Sequence, residues 1–415
     1  MDRVGTSRRE MLRAAAVSAL AMPFGVAWAQ SVSEDAVTPF AFRVSDAALA
    51  DLKRRLEQTR WPERETGAAW EQGPPLTALR DLVDYWRAGY DWRRCEAELA
   101  RWPQFRTGLD GLSIHFIHVR SRHSGALPII LTHGWPSTIL LFRHVIGPLT
   151  DPIAHGGTAA DAFDVVIPSL PGFAFSDKPT ERGWNAERIA RAWGVLMARL
   201  GYRRYVAQGG DWGAFVVTAM AQQQAPGLTA IHLNFAQTMP DAIPDSLSPD
   251  QKRVVDAMTV YRERNSAYFQ VQATRPQMIG YALADSPVGQ AAWIYDIFNG
   301  GTGATGRPED ALTRDQMLDE ITLYWLTNTA ASSARLYLEQ AELLGQRHNP
   351  GRVDLPVGVS VFPHDLPAAR NWASLVYPKL FYWHEVDRGG HFASLEVPEL
   401  FTEELRRCLR PFRGA

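Results

Sequence analysis

Cysteine is nearly absent from this 415-residue chain: Cys95 and Cys408 are the only two. That count excludes a disulfide framework, and no partners at ligand spacing suggest a metal site. One long-range bridge and two buried free thiols both stay open. A charge excess is missing too, with 43 Lys and Arg against 45 Asp and Glu, a net charge of −2. The balance argues against nucleic acid or an anionic membrane surface as the main partner. No apolar run is long and strong enough for a transmembrane span. Internal repeats and low-complexity tracts are also lacking. The N-terminal "SRREMLRAAAVSALAMPFGVAWAQ" pairs Arg8 with Arg9 ahead of a moderately apolar stretch and Ala27-Trp28-Ala29. It reads as a twin-arginine export signal over residues 1–29, cleaved after Ala29. The expected product is an exported, periplasmic protein with no membrane span in its mature chain.

What is present is an ordinary apolar fraction, 46%, sufficient for a sizeable core. From Ser45 the pattern is helical, with Leu49, Leu52 and Leu56 on one face. Leu79, Leu82, Val83 and Trp86 mark a second amphipathic helix. Residues 30–108 therefore read as an N-terminal helical arm. Strands and helices alternate over 109–238: "LSIHFIHV", "LPIILT", "FDVVIP", "RYVAQ" and "LTAIHLNF" are strands. "AERIARAWGVLMARLG" is a helix closed by Gly201. Such alternation implies an α/β fold with a mostly parallel central sheet. Residues 239–346 are helical and aromatic, with a glycine-rich loop, "FNGGTGATGRPED". Strands return over 347–415. An inserted α-helical lid above the C-terminal strand edge, where α/β folds bind ligands, is the simplest account.

The informative stretch is "YVAQGGDWGAFVV", Tyr205–Val217. A strand turns abruptly into a helix, with small residues at Gly209 and Gly213 and Asp211 between them, the pattern of a nucleophile elbow. Serine is absent from the position it usually holds there. Asp211 could merely cap the helix, but its companions favour chemistry. "THGWPST" follows an earlier strand and offers the N–H of Trp135, while Trp212 offers the N–H after the nucleophile, together an oxyanion hole. "DRGGHFASLE" places His391 late in the chain as a base. Asp365, in "VSVFPHDLP", could orient it; Asp241 is the reserve candidate, and His364 is expected to be exposed. A carboxylate is ionised without a base. It can attack an sp3 carbon and leave an ester that water then hydrolyses. Two electrophiles fit, an epoxide and a carbon–halogen bond.

On these residues the chain resembles epoxide hydrolases of the microsomal type, within the α/β-hydrolase family. The resemblance runs from "TPFAFRVSDAALADLKRRLEQTRWPE" to "GGHFASLEVPEL". "RWP", "YDWR" and "DGLSIHFIHVRS" are similar to that branch's N-terminal domain. It implies Asp211 as nucleophile, His391 as base and Asp365 as charge-relay acid. It further implies that Tyr268, in "NSAYFQVQATRP", and Tyr337, in "SSARLYLEQ", activate the epoxide oxygen. Mammalian relatives carry an N-terminal membrane anchor, and this chain has the export signal instead. The expected partners are a small apolar epoxide and water, without cofactor or metal, and a homodimer is left open. Lid aromatics Phe269, Tyr281, Trp293 and Phe298 are candidates for the pocket wall. Haloalkane dehalogenation, with Trp135 and Trp212 cradling halide, and non-catalytic binding of an apolar ligand are the alternatives.

Overall fold

The computed structural model describes residues 35–413 apart from 237, 241, 304, 305 and 345–350. The export-signal segment and Asp241 lie outside the described residues. Strands β1 (Thr38–Pro39), β2 (Gln104–Leu109), β3 (Leu112–Val119), β4 (Leu127–Thr132), β5 (Phe163–Pro168), β6 (Tyr205–Gly209), β7 (Leu228–Leu233), β8 (Val357–Val361) and β9 (Leu380–Glu385) form one sheet. Their order is β1-β2-β3-β5-β4-β6-β7-β8-β9. Pairings from β1 through β3 to β5 are antiparallel. All those from β5 to β9 are parallel. The central strands are buried along nearly their whole length, which requires cover on both faces.

Two strands precede the point where the sequence pattern shows any. β2 falls mostly in the stretch expected to be helical arm, where Gln104, Arg106 and Thr107 break any apolar alternation, yet all three are buried. Their partners are remote: Gln104 bonds His115, and Arg106 donates to the Phe175 carbonyl. The two-residue turn Asp110-Gly111, with φ of 50° and 82°, joins β2 to β3 as a tight hairpin.

Helices α1 (Asp46–Glu57), α2 (Leu76–Ala88) and α3 (Trp92–Leu99) form the arm. Ser45 and Asp91 cap α1 and α3 with their side chains. The stripes Leu52/Leu56 and Leu79/Leu82/Val83/Trp86 are buried as their spacing requires. Helix α4 (Ala186–Arg199) starts at its Asn185 cap and is followed by Gly201 with φ +85°. It packs on α5 (Trp212–Gln222). Between β7 and β8 come α6 (Pro249–Val260), α7 (Ala267–Thr274), α8 (Pro276–Asp285), α9 (Pro287–Gly301), α10 (Arg314–Thr327) and α11 (Ala330–Leu344). The arm helices α1 and α2 pack against α9, and α3 against α10. Helix α12 (Pro398–Leu409) closes the chain.

The glycine-rich loop starts later than its composition suggests. Helix α9 runs on through Phe298 to Gly301. Phe298 is fully buried against Phe392, and that contact holds the last turn in place. Both Cys95 and Cys408 are free and buried. Among the described residues, no helix is long and apolar enough to cross a membrane.

Candidate active site

The strand order reverses at β4, with β5 on one side and β6 on the other. Loops leaving the C-terminal ends of β4 and β6 meet there, where α/β sheets open a crevice. Asp211 stands at the end of the β6 loop with φ 48° and ψ −130°, a sharp turn that few non-glycine residues adopt. The neighbouring glycines make room for it. A methyl group on Gly209 would overlap the Gly213 carbonyl, and one on Gly213 the Thr132 carbonyl. Gly134, in the β4 loop, is glycine because a Cβ there would occupy the space of the Asp211 carboxylate.

The two carboxylate oxygens of Asp211 have different surroundings. Oδ1 accepts the Trp135 N–H at 2.7 Å. Oδ2 lies 3.5 Å from His391 Nε2. Trp212 is the first residue of α5, so its N–H has no carbonyl one turn back within the helix. His391 follows β9, and its Nδ1 is 2.9 Å from Asp365 Oδ1. Asp365 Oδ1 also accepts the Leu366 N–H at 2.7 Å, which fixes the carboxylate after β8. Burial acts against the imidazolium, but the carboxylates of Asp365 and Asp211 outweigh it and hold His391 well above its ordinary pKa.

The lid supplies the roof. The Tyr268 ring stacks on Trp135 at 5.1 Å and 15°. Tyr337 stands edge-on to Trp212 at 4.7 Å and to Tyr268 at 6.1 Å. Burial pushes both phenols well above their usual pKa, and the nearby Asp211 charge adds to it. Both are therefore protonated donors at neutral pH.

Asp211, His391, Asp365, Tyr268, Tyr337, Trp135 and Trp212 all line a single cavity of about 1560 Å³. Of the lid aromatics, Phe269 and Trp293 line it as well. Phe298 is in the core and Tyr281 is 70% exposed on the outer surface, so neither forms the wall. His364 is exposed as expected, although it reaches the rim of the cavity.

Two residues of the site went unread in the sequence. Tyr261 lines the cavity and is hydrogen-bonded to Tyr268, Oη to Oη, at 3.1 Å. Nothing in its local pattern sets it apart from other tyrosines. Glu396 accepts the N–H groups of Gly390 and Phe392, on either side of His391, and that of Gly303 beyond α9. It is thereby a tie between the His391 loop and the lid. The His391 N–H donates to the Gly301 carbonyl at 2.7 Å, a second tie.

Comparison with known proteins places this geometry among relatives. Residues 37–142 match the family model "Epoxide hydrolase N terminus", and residues 128–272 match the "alpha/beta hydrolase fold" model. A putative epoxide hydrolase of Stigmatella aurantiaca is 58% identical over 380 residues, covering 91% of this chain and 86% of that protein. Epoxide hydrolase 1 of Sus scrofa is 34% identical, covering 91% and 90%. The crystal structure of juvenile hormone epoxide hydrolase from Bombyx mori superposes with a TM-score of 0.83 at 29% identity, covering 91% and 95%. The Aspergillus niger epoxide hydrolase structure gives 0.80 at 30% identity, covering 92% and 98%.

Proposed function

The chain belongs to the epoxide hydrolases of the microsomal type, with the α/β-hydrolase fold, and from that premise we propose that it opens its epoxide through an ester on Asp211. The observation that carries this reading is the unequal environment of the two Asp211 oxygens. Oδ1, held by the Trp135 N–H, is already where an ester carbonyl would need its oxyanion donors. Oδ2 takes no backbone N–H among the described residues and faces only His391 Nε2 at 3.5 Å, which makes it the oxygen placed to attack an epoxide carbon. As that C–O bond forms, the ring C–O bond breaks, and Tyr268 or Tyr337 gives its proton to the departing oxygen. Phenols whose pKa is pushed up by burial are weak acids until an alkoxide, a far stronger base, develops against them.

Esterification then changes the electrostatics of the second step. While Asp211 is anionic, its charge helps keep His391 protonated. The neutral ester removes that contribution, so the imidazolium proton passes through water to the tyrosine phenolate left by ring opening, and the imidazole becomes a base when one is required. Water attacks Cγ of the ester, His391 Nε2 takes the water proton, and Asp365 stabilises the resulting imidazolium. Oδ1 carries the tetrahedral oxyanion against the N–H groups of Trp135 and Trp212. Collapse breaks the Cγ–O bond to the diol, whose oxygen takes the proton from His391, and the Asp211 carboxyl then gives its own proton to the imidazole, restoring the carboxylate–imidazolium pair. At about 1560 Å³ the cavity exceeds the roughly 300–1,000 Å³ of pockets that hold drug-sized ligands, so it has room for bulky epoxides.

One turnover of styrene oxide in H2-18O, followed by mass spectrometry, tests the ester. The label is expected in Asp211 and not in the diol formed first, and Asp211→Asn is expected to start inert. Solvent oxygen in the diol of the first turnover would rule out the ester. Halide release from a bromoalkane without any diol from epoxides would point to dehalogenation instead.

A further inference from the structure

Tyr261 takes no part in the steps at Asp211 and His391, yet its hydroxyl meets that of Tyr268 at 3.1 Å. The two are seven residues apart, with a π-helical segment and a break at Ser266 between them. Tyr261 opens a π-helical segment, Tyr261–Asn265, between α6 and α7. Single π turns recur at functional sites because they re-aim side chains that a regular helix would present elsewhere. Its ring is part-buried and lines the cavity, while the next four residues are exposed to solvent. Tyr261 thus stands between water and Tyr268. The Tyr337 hydroxyl makes no hydrogen bond to another phenol among the described residues.

We propose that Tyr261 is a positioning residue that makes Tyr268 the stronger acid of the lid pair, by donating its O–H to the Tyr268 oxygen. The inference rests on Tyr268 being an acid in epoxide opening. A hydroxyl has one proton, so Tyr268 can aim its own at the substrate only when Tyr261 acts as the donor between them. When the ring opens, the Tyr268 O–H bond breaks and an O–H bond forms on the departing oxygen. The Tyr268 phenolate that remains accepts the Tyr261 proton, and Tyr261 regains through water the one that His391 releases when the ester forms. Burial pushes the Tyr261 pKa up to about 12 and that of Tyr268 well above the ordinary value, and the Tyr261 hydroxyl adds to the rise at Tyr268 wherever Tyr268 is the donor, so the relay requires the opposite direction of that bond. The titratable groups acting on Tyr261 are Tyr268 on α7 and Asp211 at the elbow, and Tyr337 on α11 feels it in turn.

The test is rapid-quench mass spectrometry of ester formation with styrene oxide, for the whole enzyme and for Tyr261→Phe. Losing a hydrogen bond to a developing phenolate slows ester formation by about ten- to a hundredfold. Styrene oxide affinity and the rate of ester hydrolysis stay within about twofold, since neither step creates the phenolate. Ester formation at the wild-type rate overturns the proposal, as does an equal fall in both chemical steps, the mark of a space-filling role. A second variant avoids any folding defect: 3,5-difluorotyrosine at position 261 keeps the donor but is more acidic. It is expected to move the basic limb of the pH profile for ester formation downward, and an unmoved profile counts against the relay. Tyr268→Phe is run beside them. If that variant forms ester as fast as the wild type, the acid role of Tyr268 is what fails, and the support assigned to Tyr261 falls with it.

Discussion

Protons, more than contacts, decide how Asp211 and His391 work together. Each favours the charge of the other across 3.5 Å, and Asp365 favours the imidazolium from the far side at 2.9 Å. Burial opposes the charged imidazole but loses to these two carboxylates. In the proposed mechanism, an imidazole held protonated in this way takes a proton from water only once one carboxylate is neutralised. Asp211→Asn is a stable stand-in for the neutral ester, similar in size and without charge. The sign is fixed: removing an anion near an imidazolium lowers the imidazole pKa. Histidine titration by NMR is expected to place His391 lower in Asp211→Asn than in the wild type. Identical titration in both would remove the electrostatic switch from the mechanism. Asp365→Asn should lower the pKa in the same sense, which identifies the resonance.

Helix α10 shows how an element remote from the chemistry holds part of it in place. Its Glu320 Oε2 accepts the Thr138 hydroxyl at 2.7 Å, and its Tyr324 donates to the Ser137 carbonyl at 3.2 Å. Both grips fall just after Trp135, whose N–H meets Asp211. The lid therefore holds the Trp135 loop from behind as well as roofing the cavity. Glu320 is fully buried, and burial raises its pKa to about 7 despite the Thr138 bonds and Arg143, which act the other way. A carboxyl whose folded pKa is raised contributes stability below its ordinary value and loses it as pH rises through about 7. Glu320→Gln resembles the protonated form at every pH. Urea unfolding at pH 5 and pH 8.5 is expected to show the balance between variant and wild type moving toward the variant at the higher pH. The shift should be roughly 2–3 kcal/mol. A stability difference that ignores pH would contradict it. Such roles were not legible in the sequence, where "LDEITLYW" reads only as helix. The elbow was legible because strand, glycines and carboxylate adjoin one another in sequence. Thr138 and Glu320, by contrast, are 182 residues apart. The same reason hid β2, whose polar residues find partners far along the chain, and Tyr261, which matters only through Tyr268. The parallel sheet and the inserted helices were readable from periodicity, since each element buries an apolar stripe of its own.

Across the whole molecule, arm, core and lid converge on one carboxylate. Asp319, on α10, accepts the Tyr90 hydroxyl at 2.6 Å and the Arg94 guanidinium at 2.9 and 3.0 Å, both from the arm. It also accepts Arg143, from the segment that follows the oxyanion loop in the core. The Asp319 and Arg143 side chains are 0% and 2% exposed, whereas Arg94 is 42% exposed. These exposures decide which substitution costs most. Asp319→Ala leaves the Arg143 charge buried without its main partner, and removing one member of a buried pair costs about 3–5 kcal/mol. Arg94→Ala removes a half-exposed cation whose pairing is screened by water, and its cost is about 1 kcal/mol or less. Arg143 and Asp319 remain paired in that variant. Guanidinium unfolding of both variants beside the wild type measures the difference. The expected result is a much larger loss for Asp319→Ala, together with lower epoxide hydrolysis, because α10 also carries Glu320 and its hold on the oxyanion loop. Equal costs for the two variants would mean that the ion pairs are independent surface contacts and that arm and lid are joined by apolar packing alone.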